Sequence, residues 1–149
     1  MAADENKLAF RRTYEELFNQ GNLAVAEEVI APDFVNHETP ADHTPGPESM
    51  RAVAGMLRTA FPDLHFTIED LVAEGDLVAG RVTMHGTHEG PLMGMPPTGR
   101  QVEQAHMHFV RFQNGKAIEH WGVRDDVGML RQLGLMPEPP QEGRPPAGA

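Results

Sequence analysis

The sequence predicts an α+β fold, a curved antiparallel sheet wrapped around N-terminal helices. Three observations point there. Apolar residues recur at helical spacing up to Phe61, two-residue alternation replaces that spacing from His65 to Asp125, and two of the links between alternating segments are short Gly-containing turns. Consecutive strands joined by tight turns run antiparallel, whereas a parallel doubly wound sheet needs a crossover helix between strands. A strongly bent sheet with a helix across its open side forms a cone with one interior pocket, lined by both layers.

The elements follow in order. Leu8, Phe10, Tyr14, Leu17 and Phe18 make the stripe of an amphipathic helix over Asn6 to Gln20, ended by Gly21-Asn22. A second short helix covers Leu23 to Ile30, and Ala31-Pro32-Asp33 stops it before an extended piece, Phe34-Val35-Asn36-His37. A proline-rich loop from Thr39 to Pro47 leads into a third helix carrying Met50, Val53, Ala54, Leu57 and Phe61. His65 to Ala73, Leu77 to His88, Arg100 to Phe112 and Ala117 to Asp125 read as four strands, with hairpin turns at Glu74-Gly75-Asp76 and Gln113-Asn114-Gly115-Lys116. The longer link, Gly90 to Gly99, is unusually apolar; it reads as a cover for a pocket mouth, as a subunit contact, or as a stiff connector packing its methionines on the core. Asp126 to Leu133 forms a last short helix ended by Gly134. The expected organisation is one domain over residues 1–136 and a flexible Pro- and Gly-rich tail over 137–149.

Composition narrows the function. A chain of 149 residues with 40% hydrophobic content is the size of one domain with its own core. A formal charge of -10 repels phosphate backbones and anionic membranes, so neither nucleic acid nor membrane is expected as a partner. There is no cysteine, which excludes disulfides, thiolate metal sites and cysteine nucleophiles. The first residues lack the pattern of a signal peptide, and no apolar run approaches the roughly 20 residues that span a bilayer, so the expectation is a cytoplasmic protein. No nucleophile elbow, phosphate-cradling loop or dinucleotide fingerprint is present.

The chemistry concentrates near the end of the sheet. His106 and His108 lie on one face of the third strand with Gln104, and Trp121, Val123 and Asp125 share a face of the fourth. If those faces coincide, a carboxylate and two imidazoles meet in one cavity, the outline of a proton-transfer site. Phase leaves Asp126 to cap the last helix; the competing reading of Asp125 is a salt bridge to Arg124 or another arginine. Taken alone, a His-X-His pair reads rather as solvent-facing or as satisfied by backbone carbonyls. No metal is expected, because a His-X-His pair wants a third ligand and Phe109-Val110-Arg111-Phe112-Gln113 supplies no carboxylate. Asn36 and His37 stand at the cavity rim or at the surface.

The motifs Phe61-Pro62-Asp63-Leu64, Gly86-Thr87-His88-X-Gly90, Gly94-Met95-Pro96-Pro97-Thr98-Gly99-Arg100, His106-X-His108, Asn114-Gly115-Lys116, Trp121-X-X-X-Asp125 and Leu130-Arg131-Gln132-Leu133-Gly134 occur in this order. Together they resemble the SnoaL-like polyketide cyclases, or ester cyclases, over about Lys7 to Gly134. The resemblance implies the cone-shaped fold shared with nuclear transport factor and ketosteroid isomerase, and a cofactor-free intramolecular aldol closure of an aromatic polyketide ester. It assigns the acid/base aspartate to Asp125 and the active-site histidine to His108, with His106 where the family carries glutamine. It also places Asn36 in the pocket and Phe18 and Val53 on helix positions lining it. Gln104 and Trp121 complete the expected substrate contacts by strand phase.

The expected partner is a small aromatic polyketide-like molecule. A homo-oligomer is expected too, since the convex face of the sheet must be covered. Hydroxylation or isomerisation on the same fold, and a non-catalytic small-molecule-binding module, are the alternatives.

Overall fold

The computed structural model describes residues 2–38 and 45–137. Most of the loop expected between Thr39 and Pro47, and the tail from residue 138 onward, lie outside these residues.

Helix α1 (Ala2–Arg12) carries Asp4 and Glu5 in its first turn and Arg11 and Arg12 in its last, the charge order the helix dipole favours. It runs directly into a π-helical segment, Thr13–Asn19, which buries Tyr14, Leu17 and Phe18. The expected second helix is split into a 3-10 turn, Leu23–Val25, and a single α-turn, α2 (Ala26–Val29). Ile30 already belongs to a strand, β1 (Ile30–Asn36), which explains the extended backbone read at Phe34 to Asn36. Pro32 is tolerated there because β1 is an edge strand. Helix α3 (Pro47–Ala60) starts with proline at its first position, where a missing N–H costs nothing.

Four strands follow: β2 (His65–Glu74), β3 (Leu77–Thr87), β4 (Gln101–Gln113) and β5 (Lys116–Arg124), then helix α4 (Asp126–Gln132). The β4–β5 turn places Asn114 at φ 54° and Gly115 at φ 77°, the left-handed pair a two-residue hairpin requires. The sheet order is β1-β5-β4-β3-β2. The pairs β2–β3, β3–β4 and β4–β5 are antiparallel, but β1 pairs with β5 in parallel, so the five-stranded sheet is mixed rather than purely antiparallel. The reason is topological. A helix and a three-strand meander separate β1 from β5, and the chain returns in the original direction.

The core lies between the helices and the inner face of the sheet. Along β4, buried Val102, Gln104, His106, His108, Val110 and Phe112 alternate with residues of the other face. Phe10 of α1 lies so close to β3 that a Cβ at Gly80 would collide with its ring. Small residues there let the helix seat on the sheet. No described helix is long and apolar enough to cross a membrane.

Candidate active site

Register decides which side chains meet. His106 pairs with Arg124, His108 with Gly122 and Val110 with His120, so the inner face of β5 presents His120, Gly122 and Arg124. Trp121 and Val123 stand on the convex face, 36% and 76% exposed, and Trp121 stacks on His37 at 4.8 Å. The expected inward face of Trp121, Val123 and Asp125 is therefore corrected by one residue. Asp125 is exposed and caps helix α4, its Oδ1 accepting the Gly128 N–H at 2.9 Å. Asp126, assigned to capping, instead accepts from Gln104 Nε2 at 3.1 Å. Arg124 pairs not with Asp125 but with Glu38, Nη1 to Oε2 at 2.5 Å.

Glu38 is the carboxylate that reaches the histidines. It lies two residues past Asn36, the last residue of β1, so the parallel pairing of β1 with β5 carries it to the inner face. Its Oε1 lies 3.7 Å from His120 Nε2 and 4.0 Å from His108 Nδ1, is buried, and accepts no hydrogen bond among the described residues. Gly122 makes the room: a Cβ there would collide with Glu38 Oε1 and stand 2.9 Å from His108 Nδ1.

The imidazoles form a chain across the inner face. His120 Nδ1 donates to Asn36 Oδ1 at 2.9 Å; that oxygen is fixed as an acceptor because it also takes the Glu38 backbone N–H at 3.1 Å. His120 Nε2 meets His108 Nδ1 at 2.8 Å, and His108 Nε2 meets His106 Nδ1 at 3.1 Å. His106 Nε2 meets Gln104 Oε1 at 2.7 Å. His106 and His108 are 3% exposed and His120 6%. Burial pushes the His106 imidazole down to about 3 and His120 down to about 4, Glu38 opposing the fall at His120, and it holds His108 well below the ordinary histidine range. Tyr14 packs 5.3 Å from the His108 ring, and burial, aided by the charge of Glu38, raises its phenol well above the ordinary value. It stays a neutral donor.

The remaining expected contacts divide. Gln104 and Asn36 belong to the chain of hydrogen bonds. Phe18 is 3% exposed and packs on Tyr14 and Phe66, and Val53 packs on the core from α3. The recess beside Tyr14 and His120 measures about 20 Å³, room for about one water. A larger hollow of about 430 Å³ runs past Asp63, His85, Gln101 and Gln132, and none of His106, His108 and His120 lines it.

The curved α+β sheet thus gathers one carboxylate and three imidazoles on its inner face, beneath the helices. The profile of the SnoaL-like polyketide cyclases matches residues 8–133, and the chain belongs to that family. It is 36% identical over 129 residues to the nogalonic acid methyl ester cyclase of Streptomyces nogalater, covering 85% of this chain and 95% of that one. With the aklanonic acid methyl ester cyclase DnrD of Streptomyces peucetius the identity is 32% over 136 residues, 89% of this chain and 92% of the relative. The crystal structure of IdmH from Streptomyces antibioticus superposes with a TM-score of 0.75 at 39% identity, covering 87% of this chain and 98% of IdmH.

Glu38, His120, Arg124 and the proximity of Tyr14 to the histidines were not legible as site features from the sequence. A usable signal existed for part of them: His120-X-Gly122-X-Arg124 is the alternative phase of β5, a glycine between an imidazole and a guanidinium, which suits a crowded polar interior better than an outer face.

Proposed function

We propose that this protein closes a ring of an aromatic polyketide ester by intramolecular aldol addition, with Glu38 as the proton acceptor; its relatives are named as methyl ester cyclases. The observation that carries the reading is the buried, unpartnered Glu38 Oε1, facing His108 and His120. A C–H between two carbonyls is acidic enough for a carboxylate to remove when donors hold the resulting enolate. Glu38 Oε1 takes that proton, and Tyr14 and Arg124 donate to the enolate oxygen. The carbanion adds to a ketone of the same molecule, and the proton returns to the new alkoxide, so the step is an isomerisation that gains and loses nothing. His106, His108 and His120 are neutral near pH 7 and support the cluster as hydrogen-bond partners.

The recess holds about one water, so binding a multi-ring substrate requires the site to widen. Exposure of the side chains rises from the histidines to Glu38, 16%, and Arg124, 34%, so this ion pair lies on the solvent side of the cluster. Holding the folded chain of the substrate in attack geometry then contributes on the order of 7 to 11 kcal/mol to the rate. The second copy expected as partner fits the convex face, where Met107 lies opposite Val123 and Phe109 opposite Trp121, all exposed. Incubation with an anthraquinone methyl ester bearing a 1,3-dicarbonyl side chain, followed by chromatography and mass, tests the reaction: a product of unchanged mass and altered retention supports it, and unreacted substrate refutes it.

A further inference from the structure

The hydrogen-bond chain through the three histidines is one cation short, and the shortage has a location. Gln104 Nε2 donates to Asp125 O and Asp126 Oδ1, which turns Gln104 Oε1 toward His106 and makes His106 Nε2 a donor. At the other end, Asn36 Oδ1 makes His120 Nδ1 a donor. If both outer imidazoles are neutral, the inner nitrogens, His106 Nδ1 and His120 Nε2, are both lone pairs, and both face His108. A neutral His108 has one N–H and satisfies only one of them. A proton added to His108 would satisfy both but would leave Glu38 Oε1 without a hydrogen bond, 4.0 Å from the His108 Nδ1–H already committed to His120.

We infer that Glu38 Oε1, His108 Nδ1 and His120 Nε2 form a binding site for a divalent transition cation of the Zn²⁺ class. The three atoms belong to one cluster with metal-ligating chemistry. Their separations of 2.8, 3.7 and 4.0 Å put the point equidistant from all three at about 2.1 Å from each, the length of a Zn–N or Zn–O bond. With an ion there, His108 Nδ1 becomes a ligand and its Nε2–H donates to His106 Nδ1. His120 coordinates through Nε2, and Glu38 Oε1 gains its partner. Every nitrogen of the chain is then matched with all three imidazoles neutral. Asn36 and Gln104 supply the outer hydrogen bonds that fix the tautomers of such a site. Gly122 keeps the space above it clear, and Arg124 holds Oε2 aside so that Glu38 binds through one oxygen. Two histidines and one carboxylate leave further coordination positions open. In sequence the His-X-His pair has no carboxylate after it; the fold provides one from the end of β1.

This inference rests on the same cluster as the ring-closure reading and competes with it: the ion takes the Oε1 lone pair assigned to proton abstraction, so Zn²⁺ slows ring closure and a chelator restores it. The test uses no substrate, so its failure and a failure of ring closure are separate results. Chelator-treated full-length protein is titrated with Co²⁺ and followed by the visible d–d bands of low-coordinate cobalt, then displaced with Zn²⁺ in a calorimeter. Glu38→Gln, His120→Asn and Asn36→Ser are compared, each checked for folding by near-UV circular dichroism. One equivalent with low-coordinate bands is expected, weakened by more than about 100-fold in Glu38→Gln and His120→Asn and about 10- to 100-fold in Asn36→Ser. Absence of the bands, or an affinity unchanged by Glu38→Gln but lost when the exposed His65 and the neighbouring His85 are both replaced, overturns the inference.

Discussion

Gly122 and Glu38 occupy one space: the position of a Cβ on Gly122 is filled by the carboxylate of Glu38. The glycine sits opposite His108 in the β4–β5 ladder, so the missing side chain lets an acidic group from the turn after β1 reach an imidazole on β4. Gly122→Ala is therefore expected to expel the carboxylate and lower ring closure by about 10²- to 10⁴-fold, the contribution of a general base. Steady-state kinetics beside a thermal melt separates this from unfolding; an alanine variant with wild-type activity contradicts the placement of Glu38.

Asp125 stands at the start of helix α4. Its carboxylate caps α4, and removing such a cap costs about 0.5 to 2 kcal/mol, whereas asparagine caps nearly as well. Asp125→Ala is expected to lower the thermal midpoint and Asp125→Asn to leave it almost unchanged. Equal midpoints for the two variants would show that the cap carries no stability.

The buried imidazoles make the metal-free protein sensitive to acid. An unfolded histidine titrates near ~6.5, whereas burial holds His106 at about 3 and His120 at about 4 in the folded chain. Below the unfolded value the unfolded state binds more protons, so stability falls as pH drops from about 6.5 to about 4 and levels off for each group below its folded value. Above 6.5 these groups add no slope. Urea melts across this range are expected to show the loss, and His106→Gln, the residue type expected there from the family, is expected to remove up to about 1.4 kcal/mol per pH unit of it. A slope unchanged in that variant contradicts a neutral His106.

The convex face is expected to bury a second copy. Phe109→Glu with Val123→Glu places charge where two exposed apolar side chains stand and is expected to shift the sedimentation mass to that of a single 16.4 kDa chain. Wild type sedimenting at that mass removes the argument.

The order and type of nearly every element were legible in the sequence because helical and alternating periods are local signals. The split of Leu23–Ile30 and the parallel β1 were not, since a four-residue extended piece does not say which strand it joins. The histidines of β4 were legible from alternation alone. The phase of β5 was not: Trp121 and Val123 are apolar and read as inward, yet they cover a convex face whose own apolar character reverses the usual rule. A register shift beside Phe112 and Ala117 resets that phase, and no residue in the turn announces it. Glu38 was hidden for a further reason. It meets His108 across 70 positions of chain, through a pairing that only the assembled sheet defines.

The direct test of the account is ring closure by Glu38→Gln set beside Asp125→Asn under identical conditions, with folding of both verified. The account predicts that Glu38→Gln loses about 10²- to 10⁴-fold in kcat while Asp125→Asn stays near wild type. Loss in Asp125→Asn with activity retained in Glu38→Gln would contradict it.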